Sequence, residues 1–247
     1  MNTVILGATR GIGRALARAM AARGDRLFLL GRDARDLGAS ARDLEARAGL
    51  AEGAIGSAAC DLLEPATFAP AFDAAAAALG RLEAVVVTAG LFATQERLES
   101  DRELARRVLE ADFSGTVLFC EEARERLLAA GGGRLCVLSS VAGERGRKPV
   151  VLYGAAKAGL SRYLEGLDHR FHARGLRVVC VKPGFVRTSM TEGLPEPPFA
   201  GEADEVAAIA LAALDRGRPV VYAPGIWRWV MAVVRLLPRA VLRRVGF

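Results

Sequence analysis

Two side chains that can exchange a proton lie four positions apart near the middle of the chain. Tyr153 and Lys157 frame the run Tyr-Gly-Ala-Ala-Lys, and this i, i+4 spacing places both on one face of a helix. A nearby ammonium stabilises a phenolate, so Lys157 lowers the tyrosine pKa toward a value useful for acid–base work on an alcohol or a carbonyl. The alternative is an ordinary exposed pair. Ser140 lies thirteen residues upstream, at the end of an apolar run, where its hydroxyl can enter the same cleft.

A glycine-rich turn near the N-terminus predicts a site for a phosphate group. The run Gly7-Ala8-Thr9-Arg10-Gly11-Ile12-Gly13 separates the first apolar segment from the first segment of helical period. Glycines allow a tight turn and a close approach of the backbone, and the free amides of a helix N-terminus attract a pyrophosphate. The placement between a strand and a helix makes this turn a dinucleotide-binding candidate.

The end of the second apolar run indicates which dinucleotide would be bound. It reads Gly31-Arg32-Asp33, at the place where a dinucleotide fold contacts the adenosine ribose. A guanidinium can hold a 2′-phosphate through forked hydrogen bonds, so Arg32, with Arg10, favours NADP(H). Asp33 favours NAD(H), and in an arginine-rich chain both arginines have the alternative of being solvated surface residues. We predict NADP(H), with NAD(H) as the alternative.

Alternating apolar and helical segments must bring these residues together. Seven short runs are almost continuously apolar, as strands buried on both faces of a parallel sheet are: 3–6, 26–30, 54–60, 82–87, 134–138, 176–181 and 219–223. Segments long enough for crossover helices lie between them: 12–23, 34–48, 65–79, 101–130 and 150–174. The pattern predicts an α/β Rossmann fold, with a doubly wound parallel sheet of seven strands and six helices. Residues 185–201 have neither period and are predicted to form a mobile loop, or an ordinary connection.

Composition and charge exclude several classes of protein. The 247 residues are 52% apolar and 25% charged, which fits one globular domain. The net charge is +6, but residues 216–247 carry seven arginines and no acid, so residues 1–215 sum to −1 and we predict no nucleic-acid partner. Four scattered cysteines predict reduced core thiols and no metal site. The first apolar run starts at Thr3, which leaves no room for a signal peptide, so we expect a cytoplasmic protein.

Together these motifs resemble the short-chain dehydrogenase/reductase family over nearly all of residues 1–225. The matching motifs, in chain order, are Gly7-x-x-x-Gly11-x-Gly13, Cys60-Asp61-Leu62, Ala89-Gly90, Ser140, Tyr153-x-x-x-Lys157 and Pro183-Gly184-Phe185-Val186-Arg187-Thr188. The resemblance implies hydride transfer between a nicotinamide and a carbonyl or alcohol carbon. Carbonyl reduction is the direction that the NADP(H) prediction favours.

The resemblance also implies a role for each matched residue. Tyr153 would be the acid or base, Ser140 would polarise the substrate oxygen, and Lys157 would hold the nicotinamide ribose. Asp61, with Leu62 beside it, would face the adenine, while Ala89 and Gly90 would let the cofactor lie close to the fourth strand. The backbone from Pro183 through Gly184 to Val186, together with Thr188, would grip the carboxamide.

Two positions depart from the family pattern. The usual Asn-Ala-Gly reads Thr88-Ala89-Gly90, a change expected to affect only strand packing. The asparagine expected in the long central helix, which belongs to the family's proton relay, reads Asp112. Asp112 can replace it if the backbone carbonyl is the group that acts; otherwise we expect slow turnover or a shifted pH profile. A shifted alignment is the third alternative.

The last 22 residues, 226–247, form an apolar and basic helical tail beyond the catalytic domain of residues 1–225. Twelve residues precede Pro238 and span about 18 Å, which is too short to cross a bilayer. Both tryptophans lie here beside arginines, a composition typical of helices at a membrane interface. One expectation is therefore that the tail lies on the inner face of the membrane. The alternative is protein packing, over the cleft or in a subunit contact.

Three further alternatives concern the substrate, the activity and the assembly. The tail resembles the end of family members that reduce polyprenyl-phosphoryl keto-sugars, so a lipid-linked or apolar carbonyl is one substrate class; a soluble acyl or small carbonyl compound is the other. A non-catalytic NADP-binding scaffold is the alternative to an enzyme. The resemblance and the apolar tail suggest a homodimer or a homotetramer.

Overall fold

The computed structural model describes residues 1–244, which form nine strands and ten α-helices. The strands are β1 (Asn2–Leu6), β2 (Arg26–Gly31), β3 (Gly56–Ala59), β4 (Ala84–Val87), β5 (Gly133–Leu138), β6 (Leu176–Pro183), β7 (Val186–Arg187), β8 (Gly201–Glu202) and β9 (Val220–Ala223). The helices are α1 (Gly11–Ala22), α2 (Ala34–Ala48), α3 (Phe68–Leu79), α4 (Gln95–Ser100), α5 (Arg102–Leu109), α6 (Thr116–Ala129), α7 (Val151–Phe171), α8 (Ala203–Arg216), α9 (Trp227–Leu236) and α10 (Arg239–Arg244).

Seven strands form one parallel sheet in the order β3-β2-β1-β4-β5-β6-β9. The chain winds outward from β1 in one direction and then crosses to β4 to wind in the other, so the strand order reverses between β1 and β4. This confirms the predicted doubly wound Rossmann fold. The carboxyl ends of β1 and β4 lie side by side, with Leu6 opposite Val87, and a crevice at such a reversal is where this fold class binds ligands.

The apolar runs became strands because helices cover both faces of the sheet. On one face α1, α2 and α8 pack through side chains such as Leu16, Leu44 and Leu214. On the other face α3, α6 and α7 contribute Phe72, Phe119 and Leu160. The four cysteines are all buried free thiols, and three of them, Cys60, Cys120 and Cys180, lie in the second of these cores.

The segment 101–130, which the sequence predicts to be long enough for a crossover helix, is divided in the structure. A separate helix, α4, precedes α5, and a π-helical turn over Glu110–Gly115 interrupts the path from α5 to α6. Thr116 Oγ1 donates to the Ala111 carbonyl at 2.6 Å inside this turn, and Gly115 packs so closely on the Leu62 carbonyl that a Cβ would not fit. π-helical turns are rare and often mark functional positions.

The tail packs one face of α9 onto the body of the protein. Trp227, Met231 and Val234 are buried against Val141, which lies in the loop after β5. The other face of α9 and most of α10 are exposed. Residues 245–247 of the predicted tail lie outside the described part of the chain.

The segment predicted as a loop over 185–201 has short strands at its ends. β7 and β8 pair in parallel as a small two-stranded sheet, which the sequence did not predict. The loop between them is held by the Arg187 guanidinium, which forms ion pairs with both Glu196 and Glu202. No helix among residues 1–244 is long and apolar enough to cross a membrane.

Candidate active site

The glycine-rich turn folds tightly against the end of β4. Gly7 has φ +100°, and a Cβ on it would lie 2.6 Å from the Ala89 amide nitrogen and 2.7 Å from Thr88 Oγ1. A Cβ on Gly13 would overlap both Gly7 and Thr88. Thr88 Oγ1 also donates to the Leu6 and Gly7 carbonyls, each at 3.1 Å. These two glycines are therefore required by packing, and Thr88 joins β4 to the turn.

The N-terminus of α1 is suited to hold an anion. Arg10 stands at the N-cap, makes no side-chain capping hydrogen bond, and no acidic residue lies in the first turn of α1. Gly11, the first residue of α1, has φ +49° and packs near the Thr188 methyl group. The backbone amides that follow Thr9 at the start of α1, including the Ile12 amide, have no side-chain capping partner among residues 1–244. This geometry fits the pyrophosphate of a dinucleotide.

Two charged residues follow β2: the Asp33 carboxylate is hydrogen-bonded, and the Arg32 guanidinium is exposed. Asp33 Oδ1 accepts hydrogen bonds from the amides of Arg35 and Asp36, at 2.8 and 3.0 Å, and caps α2. These backbone hydrogen bonds hold the pKa of Asp33 below its ordinary value. Arg32 is exposed. Arg10 Nη2, by contrast, lies 3.1 Å from Asp36 Oδ2, so Arg10 is paired.

The remaining predicted cofactor residues lie at the carboxyl ends of β3, β4 and β6. Asp61 Oδ1 accepts from the Leu63 amide at 3.0 Å, and Leu62 is buried beside it. Ala89 and Gly90 follow β4, and a Cβ on Gly90 would lie 2.7 Å from Asp112 Oδ1.

Beyond β6, the predicted carboxamide-binding backbone runs through a turn between strand ends. Pro183 ends β6, and the Gly184 amide donates to the Ala223 carbonyl at 3.0 Å. Val186 begins β7, and its carbonyl accepts from Thr191 Oγ1 at 2.6 Å. Thr188 Oγ1 accepts from the Met190 amide at 3.3 Å.

The structure brings the predicted acid–base residues to the same edge of the sheet. Ser140 follows β5, and its Oγ accepts from the Ala142 amide at 3.1 Å. Tyr153 is partly buried on the first turns of α7, with its ring edge-on to Phe92 at 5.1 Å between centroids. Lys157 is buried one turn later, and its Nζ lies 5.6 Å from the centre of the Tyr153 ring.

Asp112 joins this cluster through Lys157. It is fully buried, its Oδ1 accepts from the Leu91 amide at 2.8 Å, and the same oxygen lies 3.6 Å from Lys157 Nζ. Its other oxygen, Oδ2, has no hydrogen-bond partner among residues 1–244. Burial raises the pKa of Asp112, while the Lys157 charge and the Leu91 amide act in the opposite direction.

Burial and charge act against each other at Tyr153 and Lys157. Burial penalises the phenolate and, with the Asp112 charge, raises the pKa of Tyr153, although Lys157 and a hydrogen bond with Ser140 lower it. Burial also disfavours the Lys157 ammonium, but the charges of Asp112 and Tyr153 outweigh it and raise the pKa of Lys157. The lowering expected from Lys157 is present, but in this structure burial exceeds it.

Two residues next to the site were missed at the level of sequence. Phe92, which packs on Tyr153, follows the Ala89-Gly90 pair by two positions and carries no signal of its own. Trp227 fills the space beside Gly184, where any Cβ would overlap its indole, and its Nε1 donates to the Phe199 carbonyl at 3.2 Å. Its position in the apolar tail was visible, but its neighbours were not.

Comparisons with known proteins agree with this geometry. The model of the family described as short chain dehydrogenase matches residues 2–198. The chain is 36% identical over 242 residues to the uncharacterized oxidoreductase Rv2073c of Mycobacterium tuberculosis, covering 98% of this chain and 96% of that protein. It is 32% identical over 195 residues to carbonyl reductase family member 4 of Danio rerio, 78% of each chain. The crystal structure of levodione reductase superposes with a TM-score of 0.79 at 26% identity, covering 89% of this chain and 94% of that one.

Three findings lead to one conclusion. The family model matches most of the chain, the fold is shared with a solved structure, and an oxidoreductase relative matches over nearly its whole length. The chain belongs to the short-chain dehydrogenase/reductase family, whose members are oxidoreductases that act on alcohol and carbonyl groups with a nicotinamide cofactor.

Proposed function

We propose that this protein reduces a carbonyl compound to an alcohol with NADP(H), using Tyr153 as the acid. The observation that carries the proposal is the convergence of Ser140, Tyr153 and Lys157 with the glycine-rich turn at one edge of the sheet. The uncapped N-terminus of α1 fits a dinucleotide there, and Gly7 and Gly13 allow the turn that leads into it to pack on β4. A nicotinamide held at this edge would supply a hydride to the carbonyl carbon.

The residues of this chain then handle the oxygen and its proton. The Ser140 hydroxyl donates a hydrogen bond to the carbonyl oxygen and polarises it. As the carbon is reduced, the Tyr153 hydroxyl gives its proton to that oxygen, and the resulting phenolate is stabilised by the Lys157 ammonium. Lys157 would also hold the nicotinamide ribose. In the reverse direction the phenolate accepts the alcohol proton.

Asp112 acts in this scheme as a positioning residue. Its carboxylate holds the Leu91 amide and lies beside Lys157 Nζ, so it fixes the ammonium that faces Tyr153. This differs from an asparagine in charge, because an amide at the same place would leave the full field of Lys157 acting on the phenol.

The preference for NADP(H) rests on the different surroundings of Asp33 and Arg32 at the end of β2. Asp33 is engaged in capping α2, which reduces its availability for a ribose hydroxyl, while Arg32 is exposed. Arg10 joins Arg32 only if its contact with Asp36 opens, and that contact is between exposed groups of small energetic value.

The substrate class that we propose is an apolar or lipid-linked carbonyl met at a membrane surface, in the cytoplasm. The supporting observation is the outer face of α9, where Trp229, Val233 and Leu236 are 67, 62 and 84% exposed. Arginines flank this face and residues 216–247 contain no acid, so the tail complements an anionic bilayer in charge. Residues 1–225 would then be the catalytic domain and 226–247 its membrane contact.

A soluble carbonyl substrate is the alternative, and the relative from Danio rerio, a carbonyl reductase, favours it. We also propose a homodimer or homotetramer. Besides packing on the sheet, α6 and α7 each expose an apolar side chain that a subunit contact would cover: Leu118 is 51% exposed and Val151 is 52% exposed.

The function is tested by mixing the purified protein with NADPH and a panel of soluble and apolar ketones. The wild-type chain should oxidise NADPH with at least one of them, and Tyr153→Phe should lower kcat by a factor of about a thousand or more, since it removes the proton donor. Phe retains the ring that packs on Phe92, so cofactor binding should persist. Undiminished turnover by this variant would remove Tyr153 from the mechanism, and binding of NADPH without turnover of any ketone would favour a non-catalytic scaffold.

A further inference from the structure

A second concave region lies on the side of α7 that faces away from Tyr153 and Lys157. It is a cavity of about 480 Å³ between the first turns of α7, the loop after β5, and α10. The helical repeat turns the α7 residues that line it away from Tyr153: Val151, Gly154, Ala155 and Ala158. Neither Ser140, Tyr153 nor Lys157 lines this cavity, so it is distinct from the candidate active site.

Among residues 1–244, the charged residues that line the cavity are all cationic. They come from the loop after β5 and from α10: Arg145, Arg147, Lys148, Arg239 and Arg243. Within residues 1–244 the ion pairs of the protein do not include Arg145, Lys148, Arg239 or Arg243. Cations gathered in a concave space of low polarity reinforce one another and attract anions.

Two of these cations also hold the end of the tail over the cavity, one at the turn between α9 and α10 and one on α10 itself. Arg145 Nη2 donates to the Leu237 carbonyl at 3.1 Å, and Lys148 Nζ donates to the Arg243 carbonyl at 2.6 Å. A guanidinium has five N–H donors and an ammonium has three, so each side chain keeps donors for a ligand. These backbone contacts therefore shape the cavity and leave the charges of Arg145 and Lys148 in place.

The chemistry of the lining selects a class of ligand. Guanidinium forks match the oxygens of a phosphate, and several cations favour a dianion over a monocarboxylate. Apolar side chains complete the wall: Ala142, Val150, Val151 and Leu242. We propose that this cavity binds the phosphate group of an organic phosphate ester, with the apolar part of the ester against Val150, Val151 and Leu242.

Tryptophan fluorescence provides a direct measurement, because both tryptophans of the chain lie in α9, which leads into α10. The full chain, saturated with NADPH so that the cofactor's own phosphate sites are filled, is titrated with inorganic phosphate, pyrophosphate and glycerol 3-phosphate. A parallel series uses phosphatidylcholine vesicles with and without phosphatidic acid. We expect saturable binding of at least one phosphate compound.

The matched variants decide whether this cavity is the site. The double variant Arg239→Gln/Arg243→Gln should bind the phosphate compound about tenfold more weakly or worse. Arg244→Gln removes one charge from the same helix at a position that does not line the cavity, and it should stay within about twofold of wild type. NADPH affinity serves as the check that each variant is folded. Equal losses in the two variants, or no saturable binding of any phosphate compound by the wild type, would overturn the proposal.

The two series distinguish the source of the phosphate. Binding of glycerol 3-phosphate that is lost in the double variant identifies a soluble ester, whereas loss confined to phosphatidic acid vesicles identifies a lipid headgroup. Either result supports the site. The readout is binding, so absence of reductase activity would leave it valid.

Discussion

At the scale of single residues, the charge of Asp112 lies close to Lys157 and acts on Tyr153. Asp112 Oδ1 lies 3.6 Å from Lys157 Nζ, and both groups are buried, so little solvent screens their interaction. The carboxylate neutralises part of the field that Lys157 exerts on Tyr153 and thereby raises the pKa of the phenol. This is a consequence of a single departure from the pattern of the family.

We predict that Asp112→Asn shifts the pH profile of the reaction to lower pH. Removing the negative charge lowers the Tyr153 pKa, because the Asp112 charge is one of the causes that raise it. Carbonyl reduction needs the protonated phenol, so its kcat/KM should begin to fall at lower pH than in the wild type. Alcohol oxidation needs the phenolate, so it should begin to rise at lower pH.

The amide is isosteric and retains an oxygen for the Leu91 amide, so the fold should be preserved. Both limbs are measured as kcat/KM over a pH series with the same substrate pair. Profiles that coincide for wild type and variant would show that the charge of Asp112 does not reach Tyr153.

The second prediction at this scale concerns Arg32. Arg32→Ala should raise the Kd for NADPH by about tenfold or more and leave the Kd for NADH within about twofold, because only NADPH carries the 2′-phosphate. Cofactor titration by fluorescence gives both constants. Arg35→Ala, an exposed arginine on the same helix start, is the matched control. An unchanged Kd for NADPH would remove the argument for NADP(H).

At the scale of elements, α9 packs against the turn that follows β6. Its buried Trp227 occupies the space that the absent Cβ of Gly184 leaves free, and it also holds the Phe199 carbonyl. The sequence predicts one amphipathic helix over 226–237 and leaves open whether its apolar side faces lipid or protein. The structure divides the two tryptophans: Trp227 is buried and Trp229 is exposed.

This division gives a prediction with an internal control. Trp227→Ala should lower the free energy of unfolding by about 3 kcal/mol, because it empties a packed aromatic position, and it should weaken cofactor binding. Trp229→Ala should change the free energy of unfolding by less than about 0.5 kcal/mol. Urea denaturation of both variants measures the difference. Equal effects of the two substitutions would contradict the packing of α9.

At the scale of the whole molecule, the basic charge and the exposed apolar face lie together at the C-terminal end of the chain. The rest of the chain is nearly neutral, so an anionic membrane would attract this end and orient the protein.

We predict that the full chain sediments with vesicles in proportion to their anionic lipid content. Trp229→Ser/Leu236→Ser should reduce the bound fraction several-fold, because these side chains supply the exposed apolar area. Leu50→Ser, which alters an exposed apolar residue after α2, should bind like the wild type. Sedimentation that does not respond to the double substitution, or no sedimentation at all, would favour a soluble substrate.

The sequence by itself determined the fold class, the seven strands of the main sheet and the residues that meet at its edge. It could do so because buried parallel strands are continuous apolar runs, and because an i, i+4 spacing or a glycine-rich turn fixes local geometry without reference to distant residues. The family, once these motifs are taken together, follows from the same local signals.

Only the tertiary structure decided what depends on contacts between distant segments. The π-helical turn that interrupts 101–130 is set by packing against Leu62, and the pairing of Asp112 with Lys157 joins two helices 45 positions apart. The choice of which tryptophan is buried, and the cavity under α10, arise where the tail meets the loop after β5. Local periodicity carries no information on these contacts, since the burial that decides them comes from another part of the chain.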